Sequence, residues 1–221
     1  MAHYRFLLVP IFVLIACGAH GTSTQQSPRQ SASFPAASNQ TKPLPTTTTS
    51  ALGEELVQAI TSDSPNSTEE VERLLRAGAP VNYGSGSGTP LNLAAYNNDL
   101  AVVRLLVSAG AQVNTKDRAP QEESTLELAI RSPNGDPLQL VRFLVEHGAD
   151  VDAETEGAEA DPGSSPQLVA IRRCNPTVLA FLRSRTRKRI VPSPEEICRD
   201  ATSSNVAEVQ RNAIVKLLAE P

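Results

Sequence analysis

Tryptophan is absent from the 221-residue chain, methionine occurs once, and five phenylalanines and three tyrosines complete its aromatic content. Such a thin aromatic supply is ordinary for a helical solenoid, whose core is made by stacking small units. Histidine is scarce too. His3 and His20 fall in the N-terminal segments, so a nucleophile–histidine–acid triad would have only His147 to use. That residue sits at a helix end in a solvent-facing position, where a basic side chain already suits the helix dipole. No cysteine–histidine spacing of a metal site is present. Gly84-Ser85-Gly86-Ser87-Gly88 lacks the lysine and following helix of a phosphate loop, and reads as a flexible finger. The acidic run Asp150, Asp152, Glu154, Glu156, Glu159 and Asp161 does not match a calcium-loop pattern. The chain is therefore expected to be no enzyme, with no catalytic residue, metal or cofactor. Its 20 basic and 24 acidic residues argue against nucleic acid as a partner.

What the chain does have is a phrase used three times. Ala77-Gly78-Ala79-Pro80-Val81-Asn82, Ala109-Gly110-Ala111-Gln112-Val113-Asn114 and His147-Gly148-Ala149-Asp150-Val151-Asp152 each follow an apolar helix-like run. Those runs are Val71–Leu75, Val102–Val107 and Leu140–Val145, and the phrase glycines lie 32 and then 38 residues apart (110 − 78 and 148 − 110). That is the period of a stacked repeat. The unit from Thr89 to Asn114 is the best formed. Thr89 caps a short helix with Pro90 at its first position, and Leu91, Leu93, Ala94 and Ala95 supply its apolar side. Asp99 caps a second helix, Leu100 to Ser108, and Gly110 stops it by taking a left-handed conformation. Further openings are read at Ser124-Thr125, Asp136-Pro137, Ser165-Pro166 and Asn175-Pro176. Ser67 with Glu70, and Ser193 with Glu196, match the capping-box pattern.

Thr89-Pro90-Leu91-Asn92-Leu93-Ala94-Ala95, followed by Val102-Val103-Arg104-Leu105-Leu106 and the closing phrase, resembles an ankyrin repeat. The family usually has His at the place of Asn92 and Gly-His at Asn98-Asp99. The resemblance implies an all-α solenoid of four to five helix-turn-helix units with finger loops. Units are expected near 51–83, 84–115, 116–152 and 153–190, with a terminal cap at 191–221. The first unit lacks the Thr-Pro-Leu opening and the last lacks the Gly-Ala ending, as suits capping units. The family binds through the exposed face of each first helix and through its fingers. Carried across, the resemblance implies partner contacts at Tyr96, Asn97, Arg131, Ser132, Arg172 and Arg173. The fingers add Tyr83, Lys116, Asp117, Arg118, Glu122, Glu123, Glu154 and Glu156.

Ahead of this domain, Phe6 to Ala16 is apolar apart from Pro10, too short to span a bilayer and placed like the core of a signal peptide. Leu14-Ile15-Ala16-Cys17 resembles a bacterial lipobox, which implies a signal over 1–17 and acylation of Cys17. The other reading is cleavage after Ala19 with Cys17 discarded. Residues 18–50 are rich in Ser, Thr, Gln and Pro and are expected to form a disordered tether, its ends on the order of 30 Å apart. The lipoprotein reading implies a periplasm-facing protein, outer membrane before inner.

Either processing route leaves Cys174 and Cys198 as a pair, and stacked neighbouring units make a disulfide between them plausible. Arg183, Arg185, Arg187, Lys188 and Arg189 follow a helix at Thr177–Leu182. They are read first as helix-end charge paired with the acidic finger, and second as a contact for anionic lipid. These readings converge on a monomeric, membrane-tethered module that captures one specific periplasmic protein. An immunity-type role against a toxin or hydrolase is expected, with an envelope scaffold as the alternative.

Overall fold

Among the described residues, four helical pairs and a final helix follow one another along the chain. In the computed structural model, which describes residues 46–62, 66–86, 88–115, 123–154, 164–201 and 204–220, the first pair is α1 (Thr46–Thr61) and α2 (Ser67–Arg76). The next are α3 (Pro90–Tyr96) with α4 (Leu100–Ser108), and α5 (Thr125–Arg131) with α6 (Leu138–Glu146). Then come α7 (Pro166–Arg172) with α8 (Pro176–Arg183), and α9 (Ser204–Ala219) closes the series. An isolated bridge between Ser85 and Gly88 closes a tight turn in the first finger. All of these residues belong to one unit, Pro43–Pro221. The fold is an all-α solenoid.

The helices have two kinds of neighbour. Each pair packs internally, and the first helices α1, α3, α5 and α7 stack in sequence. A first helix is thus flanked by its own partner and by one other first helix at the stack ends (α1, α7) or two within the stack (α3, α5). That demands apolar residues on most of its circumference and small ones at the tightest approaches. Accordingly Leu91, Ala94 and Ala95, then Leu126, Ala129 and Ile130, then Val169, Ala170 and Ile171 are all buried. The second helices bury one stripe and show the other to solvent. Val102, Val103 and Leu106 face inward on α4, as do Leu140, Val141, Phe143 and Leu144 on α6.

Local rules set the helix ends. Thr89, Ser124 and Ser165 each accept the backbone N–H three residues on, at 3.3, 3.2 and 3.3 Å. Asp99 and Asn175 do the same for α4 and α8 at 3.0 and 3.1 Å. At the other end Gly78, Gly110 and Gly148 take φ of 90°, 92° and 91°. The alanine after each then donates its N–H back to Leu74, Leu106 and Leu144 and is itself buried. This is the left-handed closure expected of the phrase, with its apolar contact.

Three expectations need correction. Ser67 is the first residue of α2 rather than its cap: Asn66 precedes the helix, and the Glu70 carboxylate binds Arg73 at 2.6 Å instead of turning back. The capping box that does form joins Ser124 and Glu127, with Glu127 fully buried. Residues 194–200 are turns and not a helix, and Glu196 reaches Arg172 rather than the amide of Ser193. Helix α1 also begins at Thr46, inside the stretch expected to be tether.

The turn segment 194–200 has a structural task. Cys198 N–H donates to Ile171 O at 3.0 Å and Asp200 N–H to Arg172 O at 2.9 Å, satisfying the last carbonyls of α7. Cys174 and Cys198 are joined by a disulfide with Cα atoms 4.4 Å apart. Cys174 takes φ 58°, the position after the helix that Asn98 holds at φ 55° in α3. Arg211 of α9 donates to the Pro194 and Ile197 carbonyls, and Ile214 is buried in the core. The end of the stack is thereby closed.

Candidate partner-binding surface

The C-terminal ends of the first helices lie along one line of the stack, because each is followed by the same tight turn. Tyr96 ends α3 and leaves 43 % of its surface exposed, the largest exposed aromatic among the described residues. Its neighbour Asn97 turns inward and donates to Ile60 O at the end of α1, at 3.0 Å. Asn134 then donates to Asn97 O at 3.2 Å, and Arg173 to Ser132 O at 3.3 Å. Each bond crosses from one repeat to the next. Arg131 is half-buried and pairs at 2.7 Å with Glu123, which is itself buried.

Tyr96, Asn97, Arg131 and Arg173 therefore come together at this ledge, with Asn97, Arg131 and Arg173 already bonded within the stack. Ser132 and Arg172 do not present themselves to a partner. Ser132 is 5 % exposed and holds the N–H of Asn134. Arg172 is 2 % exposed because the segment 194–200 folds over it and supplies Glu196 as its ion-pair partner. A buried guanidinium is tolerable only with such a partner.

A second line runs along the finger bases. Asn82 donates to Gly110 O and accepts from Gln112 N–H at 2.9 Å. Asn114 repeats this, donating to Gly148 O and accepting from Asp150 N–H, both at 2.9 Å. Asp152, at the same place in the third phrase, accepts from Thr186 at 2.7 Å. Sequence reading passed over this role of the phrase's last residue. The available signal was an amide side chain recurring at repeat spacing.

The finger candidates have varied fates. The Tyr83 ring lies against Gly53 of α1, where a Cβ would meet it at 2.4 Å, and its hydroxyl reaches Glu54 at 3.3 Å. Glu123 is buried as above. Glu154 forms an ion pair with Lys188, and this contact holds the Lys188 ammonium above the usual lysine range. The basic run thus meets the acidic finger, through Lys188–Glu154 and Thr186–Asp152. Cys17, Lys116, Asp117, Arg118, Glu122 and Glu156 lie outside the described residues. His147 is exposed at the end of α6; its Nδ1 lies 2.8 Å from Phe143 O and its ring 4.0 Å from the Phe143 ring.

Short helix pairs stacked in sequence, closed by a left-handed glycine and laced together at both ends, define a helical-repeat protein with a built surface. A family model described as ankyrin repeats in three copies matches residues 56–155. The chain is 38 % identical over 80 residues to the ankyrin repeat and KH domain-containing protein mask-1 of Caenorhabditis elegans, covering 36 % of this chain and 3 % of that protein. It is 34 % identical over 86 residues to the BRCA1-associated RING domain protein 1 of the same organism, covering 39 % and 12 %. With the human ankyrin repeat and SOCS box protein 6 it shares 39 % over 88 residues, covering 39 % and 20 %. The chain thus spans a fifth or less of the length of these relatives. Ankyrin repeats are in general non-catalytic modules that bind other proteins.

Proposed function

We propose that this chain is a non-catalytic module tethered in a bacterial cell envelope, where it captures one periplasmic protein through the first-helix ledge. The observation that carries the reading is Tyr96, an exposed aromatic on a helix end whose neighbours are fixed by bonds to adjacent repeats. Aromatic and arginine side chains on rigid supports are the usual anchors of protein interfaces. Arg131 and Arg173 follow it on the next two repeats of the stack, neither fully buried. An immunity-type role, blocking a toxin or hydrolase, suits a stiff capped binder whose contact set is preformed. The disulfide between Cys174 and Cys198 accords with an oxidising compartment outside the cytosol. Acylation at Cys17, outside the described residues, would supply the anchor and residues 18–45 the reach.

The test is crosslinked co-purification from intact cells, comparing the natural chain with a Tyr96→Ala, Arg131→Ala variant. One protein recovered in equal amount, and lost with the variant, supports capture through this ledge. Identification of that protein as a hydrolase or toxin supports immunity, while several weakly held enzymes support a scaffold instead. Recovery of an unchanged set with the variant removes the ledge from consideration.

A further inference from the structure

The outer helices carry a pattern that the ledge does not use. The Arg104 guanidinium of α4 lies 4.6 Å from the ring centre of Phe143 on α6. One repeat on, Arg142 of α6 lies 4.8 Å from the ring centre of Phe181 on α8, and Arg185 approaches the same ring at 5.1 Å. Arginine to arginine and ring to ring, the spacing is 38 residues (142 − 104 and 181 − 143). Between α6 and α8 the surface dips into an open groove of about 580 Å³ lined by Leu138, Arg142, Thr177, Ala180, Phe181 and Arg185, among others.

Charge on this face is unbalanced. Arg73, Arg76, Arg131, Arg172, Lys188 and Arg199 each have a carboxylate partner. Arg104, Arg142 and Arg185 have none within 4.0 Å among the described residues. A ring face attracts a guanidinium but neutralises nothing, so two cations over Phe181 repel each other until an anion joins them. It also leaves the planar donor forks directed to solvent, ready for a bidentate carboxylate. Both rings are 7 % exposed, so nothing here stands out to insert into a bilayer.

We propose that the α4–α6–α8 face binds an acidic segment of a partner protein, its carboxylates held by Arg104, Arg142 and Arg185 and an apolar side chain seated in the groove beside Phe181. Packed helices lie about 9 Å apart, and a segment in polyproline II conformation, with three residues per turn and a rise of about 3.1 Å per residue, presents a carboxylate to successive arginines at every third residue. This rests on the chain being a protein-binding module, but not on the Tyr96 ledge.

The probe is a fluorescein-labelled peptide of five Glu-Leu-Ser repeats, titrated with the full chain by fluorescence anisotropy at about 0.15 M salt, where the screening length is about 8 Å. Arg142→Gln with Arg185→Gln should weaken binding about tenfold or more, as loss of close charge pairs does. Arg142→Lys with Arg185→Lys keeps the charge and loses the fork, and should fall between. Arg76→Gln with Lys216→Gln removes equal charge elsewhere and should leave binding within about twofold, since such exposed charges act only weakly at a distance. The Tyr96→Ala, Arg131→Ala variant should also bind the peptide normally, which separates failure here from failure of the ledge. Circular dichroism confirms that each variant is folded. Absence of binding by the natural chain, or equal weakening by the charge-matched control, overturns the proposal. Binding to phosphatidylglycerol vesicles but not to the peptide overturns it in favour of a lipid surface.

Discussion

At the scale of single residues, the last position of the closing phrase carries more than its local geometry requires. Asn82 and Asn114 each donate and accept across a repeat boundary, which an amide does with two separate atoms of one side chain. Asp152 has no donor and meets a hydroxyl instead. Asn114→Ala should therefore destabilise the fold by about 1–2 kcal/mol, two modest hydrogen bonds' worth, read from urea unfolding. Asn114→Asp keeps the acceptor for Asp150 N–H and should lose less; an equal loss would assign the effect to packing. The glycines of the same phrase were legible from sequence because their demand is local: one backbone angle, one helix end. The asparagine's partner sits in the following repeat, about thirty residues away, and no neighbouring residue announces it.

For the helices and turns, the same division explains which expectations held. Thr89-Pro90, Ser165-Pro166 and Asn175-Pro176 open helices as expected, since a cap needs only its own next three residues. Ser193 and Glu196 match an equally good pattern and form no helix. A carboxylate has two claims on it there, a backbone amide close by and the buried Arg172 from 24 residues away, and the buried charge wins. Its alternative is an uncompensated guanidinium inside the protein. Glu196→Ala should accordingly cost about 3 kcal/mol in chemical unfolding, far more than a lost cap. Replacing the pair together, Arg172→Met with Glu196→Leu, should recover most of that loss. A double variant as weak as the single one would show that the turn depends on the ion pair for its shape. This competition also explains why Arg172 was misread as a surface contact: the element that covers it carries a helix-start signal.

Across the whole chain, the repeat architecture was readable because it is written three times, whereas the candidate surface was readable only in outline. Tyr96, Asn97, Arg131 and Arg173 do meet at one ledge, but Ser132 and Arg172 are buried within the stack, and the Arg104–Phe143 and Arg142–Phe181 contacts require knowing which outer helices adjoin. The disulfide acts at this scale, because it pins the closing segment and α9 to the stack. Closing its 24-residue separation is worth about 3 kcal/mol in the chain-entropy model, so reduction should lower the unfolding midpoint by about 6–12 °C. Hydrogen exchange in the reduced protein should rise first in 194–219 and leave α3–α6 protected. Uniform loss of protection would mean the cap and the central repeats open as one unit.

The lacing along both ends of the helices has a thermodynamic consequence for association. Bonds from Asn97, Asn134 and Arg173 on one side, and from Asn82 and Asn114 on the other, settle the side-chain freedom of the ledge and finger bases during folding. A partner arriving there meets groups whose rotational entropy is already spent, so more of each new contact survives as affinity.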